Sequence, residues 1–87
     1  MLSFEEAMQL QLGNDPRFAR SAQGKRIQDV LNMRPARRRR VLARMEEHAR
    51  LATGFQGDDW SKVRTANWAM IFELLAKLLP FILDWFS

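Results

Sequence analysis

Apolar positions along this chain recur at helical rather than strand spacing. Phe4, Ala7, Met8 and Leu12 share one face of a helix expected over about 4–12. Ser3-Phe4-Glu5-Glu6 has the form of a capping box, in which Ser3 and Glu6 satisfy each other's backbone donors. The two carboxylates also suit the positive end of the helix dipole. Gly13 is placed to end this helix in a left-handed conformation, and Asn14-Asp15-Pro16 is turn chemistry. A second helix is expected over about 16–33, with Asp15 as N-cap and Pro16 at its first position. Phe18, Ala19, Ala22, Ile27, Val30 and Leu31 keep helical spacing, so this segment is either bent or divided near Gly24. Pro35 biases Arg34 out of the α region and opens a third helix over about 35–53, closed by Gly54. Phe55-Gln56-Gly57 reads as a loop.

The last helix, expected over about 59–86 with Asp58 or Asp59 as cap, has the widest apolar arc. Ala66, Ala69, Glu73, Ala76, Lys77, Pro80 and Asp84 collect on one strip. Large apolar residues, ending with Phe86, fill the remaining arc of roughly 200°. No segment shows strand alternation. The pattern therefore predicts an all-α, compact four-helix domain over residues 1–87, with the long apolar C-terminal helix as its central element.

That wide arc admits two uses beyond a core. Surplus surface at Trp68, Phe72, Leu75, Leu79 and Trp85 would be buried in a homo-oligomer or enter a membrane interface, where Trp60, Trp68, Trp85 and Phe86 suit headgroup depth. A single span is disfavoured. The apolar stretch 69–83 has 15 residues and holds Glu73 and Lys77, whereas a bilayer core asks for about 20 apolar residues. The helix's own polar strip is slightly acidic, which anionic lipid would not favour.

Charge changes the picture most in the middle of the chain. Net charge is +4, yet residues 17–50 hold eleven basic residues against three acidic ones. Arginine dominates, which favours bidentate contact with phosphate or carboxylate. On the third helix Val41, Leu42, Met45, Ala49 and Ala52 form a narrow apolar stripe. Arg37, Arg40 and Arg44 line one flank, and Arg39 and Arg50 the other. Arg38 projects into the stripe, where its stem would lie on the core and its head reach out. Glu46 and Arg50 are a favourable i, i+4 pair. Arg37, Arg38, Arg39, Arg40 and Arg44, with Lys25 and Arg26 as neighbours, form a candidate site for nucleic-acid backbone or an acidic protein. The second and third helices would make a helix-turn-helix pair. Against base readout, the third helix has no Asn or Gln, and no aromatic for stacking. The bland alternative is a solvated basic face, paired in part with Glu5, Glu6, Asp58 or Asp59.

Catalytic chemistry finds little support. His48 is the single histidine, beside Glu46 and Glu47 with no local nucleophile, and reads as a structural or surface residue. There is no cysteine, so thiolate metal sites and disulfides are excluded. Gly13, Gly24, Gly54 and Gly57 are scattered and form no phosphate loop. The expected class is a non-enzymatic binding or assembly protein, without cofactor, metal or small-molecule substrate. Its alternatives are a membrane-peripheral protein or a purely structural subunit. The chain start resembles no secretory signal, and a cytoplasmic setting is expected, with peripheral membrane association as the alternative.

Overall fold

Capping side chains set most of the helix boundaries. In the computed structural model, which describes residues 1–85, the elements are α1 (Phe4–Asn14), α2 (Pro16–Arg20), α3 (Ala22–Leu31), α4 (Pro35–Thr53), a 3-10 turn (Trp60–Lys62) and α5 (Thr65–Trp85). The protein is all-α. Phe86, assigned to the C-terminal helix by its pattern, lies outside the described residues.

The expected capping box is present: Glu6 N donates to Ser3 Oγ at 3.2 Å, and Ser3 N donates to Glu6 Oε1 at 3.0 Å. The end of α1 differs from expectation. The helix continues through Gly13, and among the described residues only Gly54 has a positive φ, 73°. Asp15 decides the stop instead. Its N–H donates to the Leu12 carbonyl at 3.2 Å while its carboxylate accepts from Phe18 N at 3.1 Å, so one residue ends α1 and begins α2.

The segment over 16–33, expected as one bent helix or two abutting ones, is two, which makes five α-helices among the described residues in place of four. The break falls at Ser21, not Gly24. Ser21 adopts an extended conformation (φ −68°, ψ 161°), and its Oγ accepts from Gly24 N at 3.0 Å while donating to the Phe18 carbonyl. That hydroxyl closes one helix and caps the next. Gly24 serves a different purpose: a Cβ there would overlap the Phe18 carbonyl, so its hydrogen lets α3 abut α2.

The last helix also starts later than expected. Asp59 caps the 3-10 turn rather than a long helix, accepting from Ser61 N at 3.1 Å and Ser61 Oγ at 2.6 Å. The same carboxylate accepts from Leu2 N at 3.0 Å, and Trp60 N donates to the Leu2 carbonyl at 2.9 Å. Residues far apart in the chain are thereby clasped, and the start of α1 is held over the turn. Hydrogen bonds from Ser61 and Leu2 lower the Asp59 carboxyl to about 2.

α5 is the central element. It buries Trp68, Ile71, Phe72, Leu75, Ala76, Leu79 and Ile82, and packs on α1, α3 and α4. Ala76, placed on the polar strip by its spacing, is buried in fact, and Ala52 at the far end of the α4 stripe is exposed. The radius of gyration, 11.9 Å, matches the roughly 12 Å of a folded domain of this length. Thr65–Trp85, at 21 residues, is long and apolar enough to cross a membrane. Its buried face is nonetheless occupied by the other helices.

Two expectations test these boundaries. Gly13→Ala, in open space within a helix, should raise stability by about 0.5–1 kcal/mol. Gly24→Ala should lower it by about 1–3 kcal/mol, because backbone must move. Urea denaturation of the two variants reads both, and equal shifts would contradict the different surroundings. The clasp adds a pH expectation. A carboxyl depressed by folding contributes stability that is complete above its ordinary value of 3.8 and lost as pH falls toward about 2. Thermal melts from pH 5 to 2.5 should therefore fall more steeply for the wild type than for Asp59→Asn.

Candidate polyanion interface

The arginines divide into clamps and free cations, and the division follows the geometry of α4. Arg38 enters the apolar side, as its spacing predicts, but its head is retained rather than released to solvent. Its Nη1 lies 3.5 Å from the Leu31 carbonyl and 3.4 Å from that of Met33, and its Nε lies 3.6 Å from Glu5 Oε1. These contacts are long, so the attraction is more electrostatic than directional. A cation beside the carbonyls that end α3 is favourable, and it links α1, α3 and α4. Arg38 is therefore withdrawn from the row offered to a partner, a correction to its place in the expected site.

Arg50 is the second clamp. Its guanidinium donates to Glu46 Oε2 at 3.0 Å and to the carbonyls of Phe55 and Gly57 at 3.3 and 2.9 Å. It also lies 5.0 Å from the Trp60 ring, whose Nε1 donates to the same Glu46 oxygen at 2.7 Å. The expected i, i+4 pair is thus part of a network that fastens the loop after Gly54. Trp60 is buried in that network, so the expectation of Trp60 at headgroup depth is overturned.

The opposite flank is different. On an ideal wheel Arg37, Arg40, Arg44 and His48 fall within about 80° of one another. Arg37 and Arg40 on this flank, and Arg39 on the Arg50 side, are exposed, and no carboxylate lies within ion-pair range of them among the described residues. Arg34, Ala36, Arg37 and Arg40 line one shallow depression. Arg44 is tethered, donating to Glu47 at 2.9 Å and lying 5.5 Å from the Trp85 ring. With His48 it lines a second depression, whose other wall is Leu78, Phe81, Ile82 and Trp85 of α5. Arg34, outside the expected set, belongs to the row; its place before Pro35 could have suggested this. Arg26 lies on the other flank of α5, in a hollow with Asp29, Pro80 and Leu83, while Lys25 is exposed on α3. The structure does not join Lys25 or Arg26 to the α4 row.

The beginning of α4 adds to this concentration of charge. Ser3, Asp15 and Ser21 cap α1, α2 and α3 with a side chain, but no side chain caps α4. No acidic residue stands in its first turn. Cations at the positive end of a helix dipole oppose it, and unsatisfied N–H groups add to the positive potential.

The expected self-association or membrane residues are corrected most firmly. Trp68, Phe72, Leu75 and Leu79 are each no more than 2% exposed, because they form the chain's own core. Of that set only Trp85 is available, at 72% exposure, matched by Phe81 at 72%. Both belong to the apolar arc by their spacing, but their position beside Arg44 depends on how α4 meets α5. Comparison with protein-family models, curated proteins and solved structures finds no match for this chain.

If these assignments hold, Trp68→Ala should cost about 3–5 kcal/mol in chemical denaturation, the range for a buried tryptophan. Trp85→Ala should cost less than about 1 kcal/mol. A Trp68→Ala protein of unchanged stability but altered molecular mass would restore the interface assignment.

Proposed function

We propose that this protein is a non-enzymatic binding module that engages the phosphate backbone of a nucleic acid through the start of α4. Arg34, Arg37 and Arg40 would make the contacts, with Arg44 at the margin of the site and Arg39 on the far flank of the helix. One observation carries the reading: the start of α4 gathers exposed arginines with no ion pair among the described residues, around a helix terminus whose N-cap side chain makes no capping bond.

Such an arrangement works against folding at three points. Like charges repel, the dipole is opposed, and backbone donors lack a side-chain acceptor. An anion at that end of the helix relieves all three at once. Phosphate suits it better than an isolated carboxylate, because Arg34, Arg37 and Arg40 line one depression and each offers a planar pair of donors. Nucleic acid supplies phosphates in series, as a row of arginines requires. The side chains of α4 contain no Asn or Gln, so contacts to backbone rather than to base edges should dominate.

Fluorescence anisotropy with a labelled oligonucleotide over a salt series tests this. Binding should weaken steeply as salt rises, with log affinity linear in log salt. The variant Arg34→Ala/Arg37→Ala/Arg40→Ala should bind more weakly, its slope shallower by about 0.7–0.9 for every phosphate contact removed. Circular dichroism should show a fold at least as stable as wild type. Wild-type and triple-variant proteins of equal affinity and equal salt slope would end the proposal.

A further inference from the structure

Resting on that reading, we infer that the nucleic acid is single-stranded, and that Phe81 and Trp85 form a ledge on which its unpaired bases stack. The two rings stand one helical turn apart on the same side of α5, each 72% exposed. Arg44 and His48 face them across the depression between α4 and α5. From Trp85 the cations continue along α4 as Arg44, Arg40, Arg37 and Arg34, the run from Arg44 to Arg37 covering about 10 Å of helix axis. Flat apolar rings beside a track of guanidinium groups are the two components of a single-strand site: stacking for bases, positive charge for phosphates. In a duplex the base faces are already stacked, and the ledge has nothing to receive.

Charge decides against the other occupants of this face. A second copy related by two-fold symmetry would bring the patch against itself, and so bring one arginine row against another. A lipid surface would meet Phe81 and Trp85, but the polar strip of α5 holds an acid-base pair, Glu73 with Lys77 at 3.9 Å. A helix that lies in anionic lipid carries cations on that face. An occupant with apolar planes and regularly spaced anions satisfies the rings and the arginines together.

The test uses a 15-nucleotide oligothymidine, a duplex of the same length, and vesicles of neutral and of anionic phospholipid. Wild-type protein should bind the oligothymidine with quenching of tryptophan fluorescence. Bound strand should also protect Trp85 from acrylamide, while buried Trp60 and Trp68 change little. Phe81→Ala/Trp85→Ala should lose about tenfold or more in affinity for the oligothymidine and keep its affinity for the duplex. The triple arginine variant should lose both. If the double variant binds oligothymidine as tightly as wild type while the arginine variant does not, stacking is overturned and the phosphate-binding reading survives. If wild type binds neither nucleic acid, both fall. A blue shift of Trp85 on anionic vesicles without nucleic-acid binding would give the face to a membrane.

Discussion

The row of packed rings through the middle of the molecule is the constraint on which the other features depend. Phe55, Trp60, Phe4, Trp68, Phe72 and Phe18 follow one another with centroid separations from 4.9 to 5.6 Å. They come from the loop after α4, the 3-10 turn, α1, α5 and α2, so one set of contacts joins five segments. Rings at these distances contribute about 0.5–1.5 kcal/mol per pair beyond the area they bury. An 87-residue chain without disulfides has few other ways to hold short helices in place. The row consumes six of nine aromatic residues, which leaves Phe81 and Trp85 as the large rings on the surface of the described chain.

Around that row, polar groups act as fasteners. Arg50 and Glu46 hold Trp60 from one side, while Asp59 and the Leu2 backbone hold its segment from the other. Arg38 ties α1 to the end of α3. Ion pairs at the surface contribute little singly. These gain importance because each also satisfies backbone carbonyls or an indole N–H that would otherwise lack a partner. The arginines of α4 thus fall into two groups, tied into the fold or exposed, and the side of the helix on which each falls decides which.

Much of this was legible in the order of residues. Ser3 with Glu6, Asp15 with Pro16, Pro35 and Gly54 each announce a helix end through local chemistry, and those ends lie where expected. The errors share a cause. Ser21, Gly13 and Asp59 could each act locally in more than one way, and competing caps nearby or, for Asp59, a contact with distant Leu2 selected among them. Gly13 fits a left-handed stop, but the cap at Asp15 lets α1 run past it. The apolar arc of the last helix does not separate the side that meets α3 and α4 from the side that meets solvent, so Phe72 and Trp85 look alike in sequence. The ledge was illegible for the same reason: its rings and its cations belong to different helices, and only the packing of α4 on α5 brings them together.

That separation of functions explains how so small a chain tolerates an unfavourable feature. The uncapped, cationic start of α4 lies at one end of the helix, whereas Val41, Leu42, Met45 and Ala49 anchor the helix further along. Repulsion among exposed arginines is screened by water and salt over about 8–10 Å, so it weakens the core little. The same charges buried in the core would cost several kcal/mol each. Placing them near a helix end, on its exposed side, keeps their cost local and their potential directed outward. Stability therefore resides in the ring row and its fasteners, and the exposed arginines lie on the part of α4 that the ring row does not need.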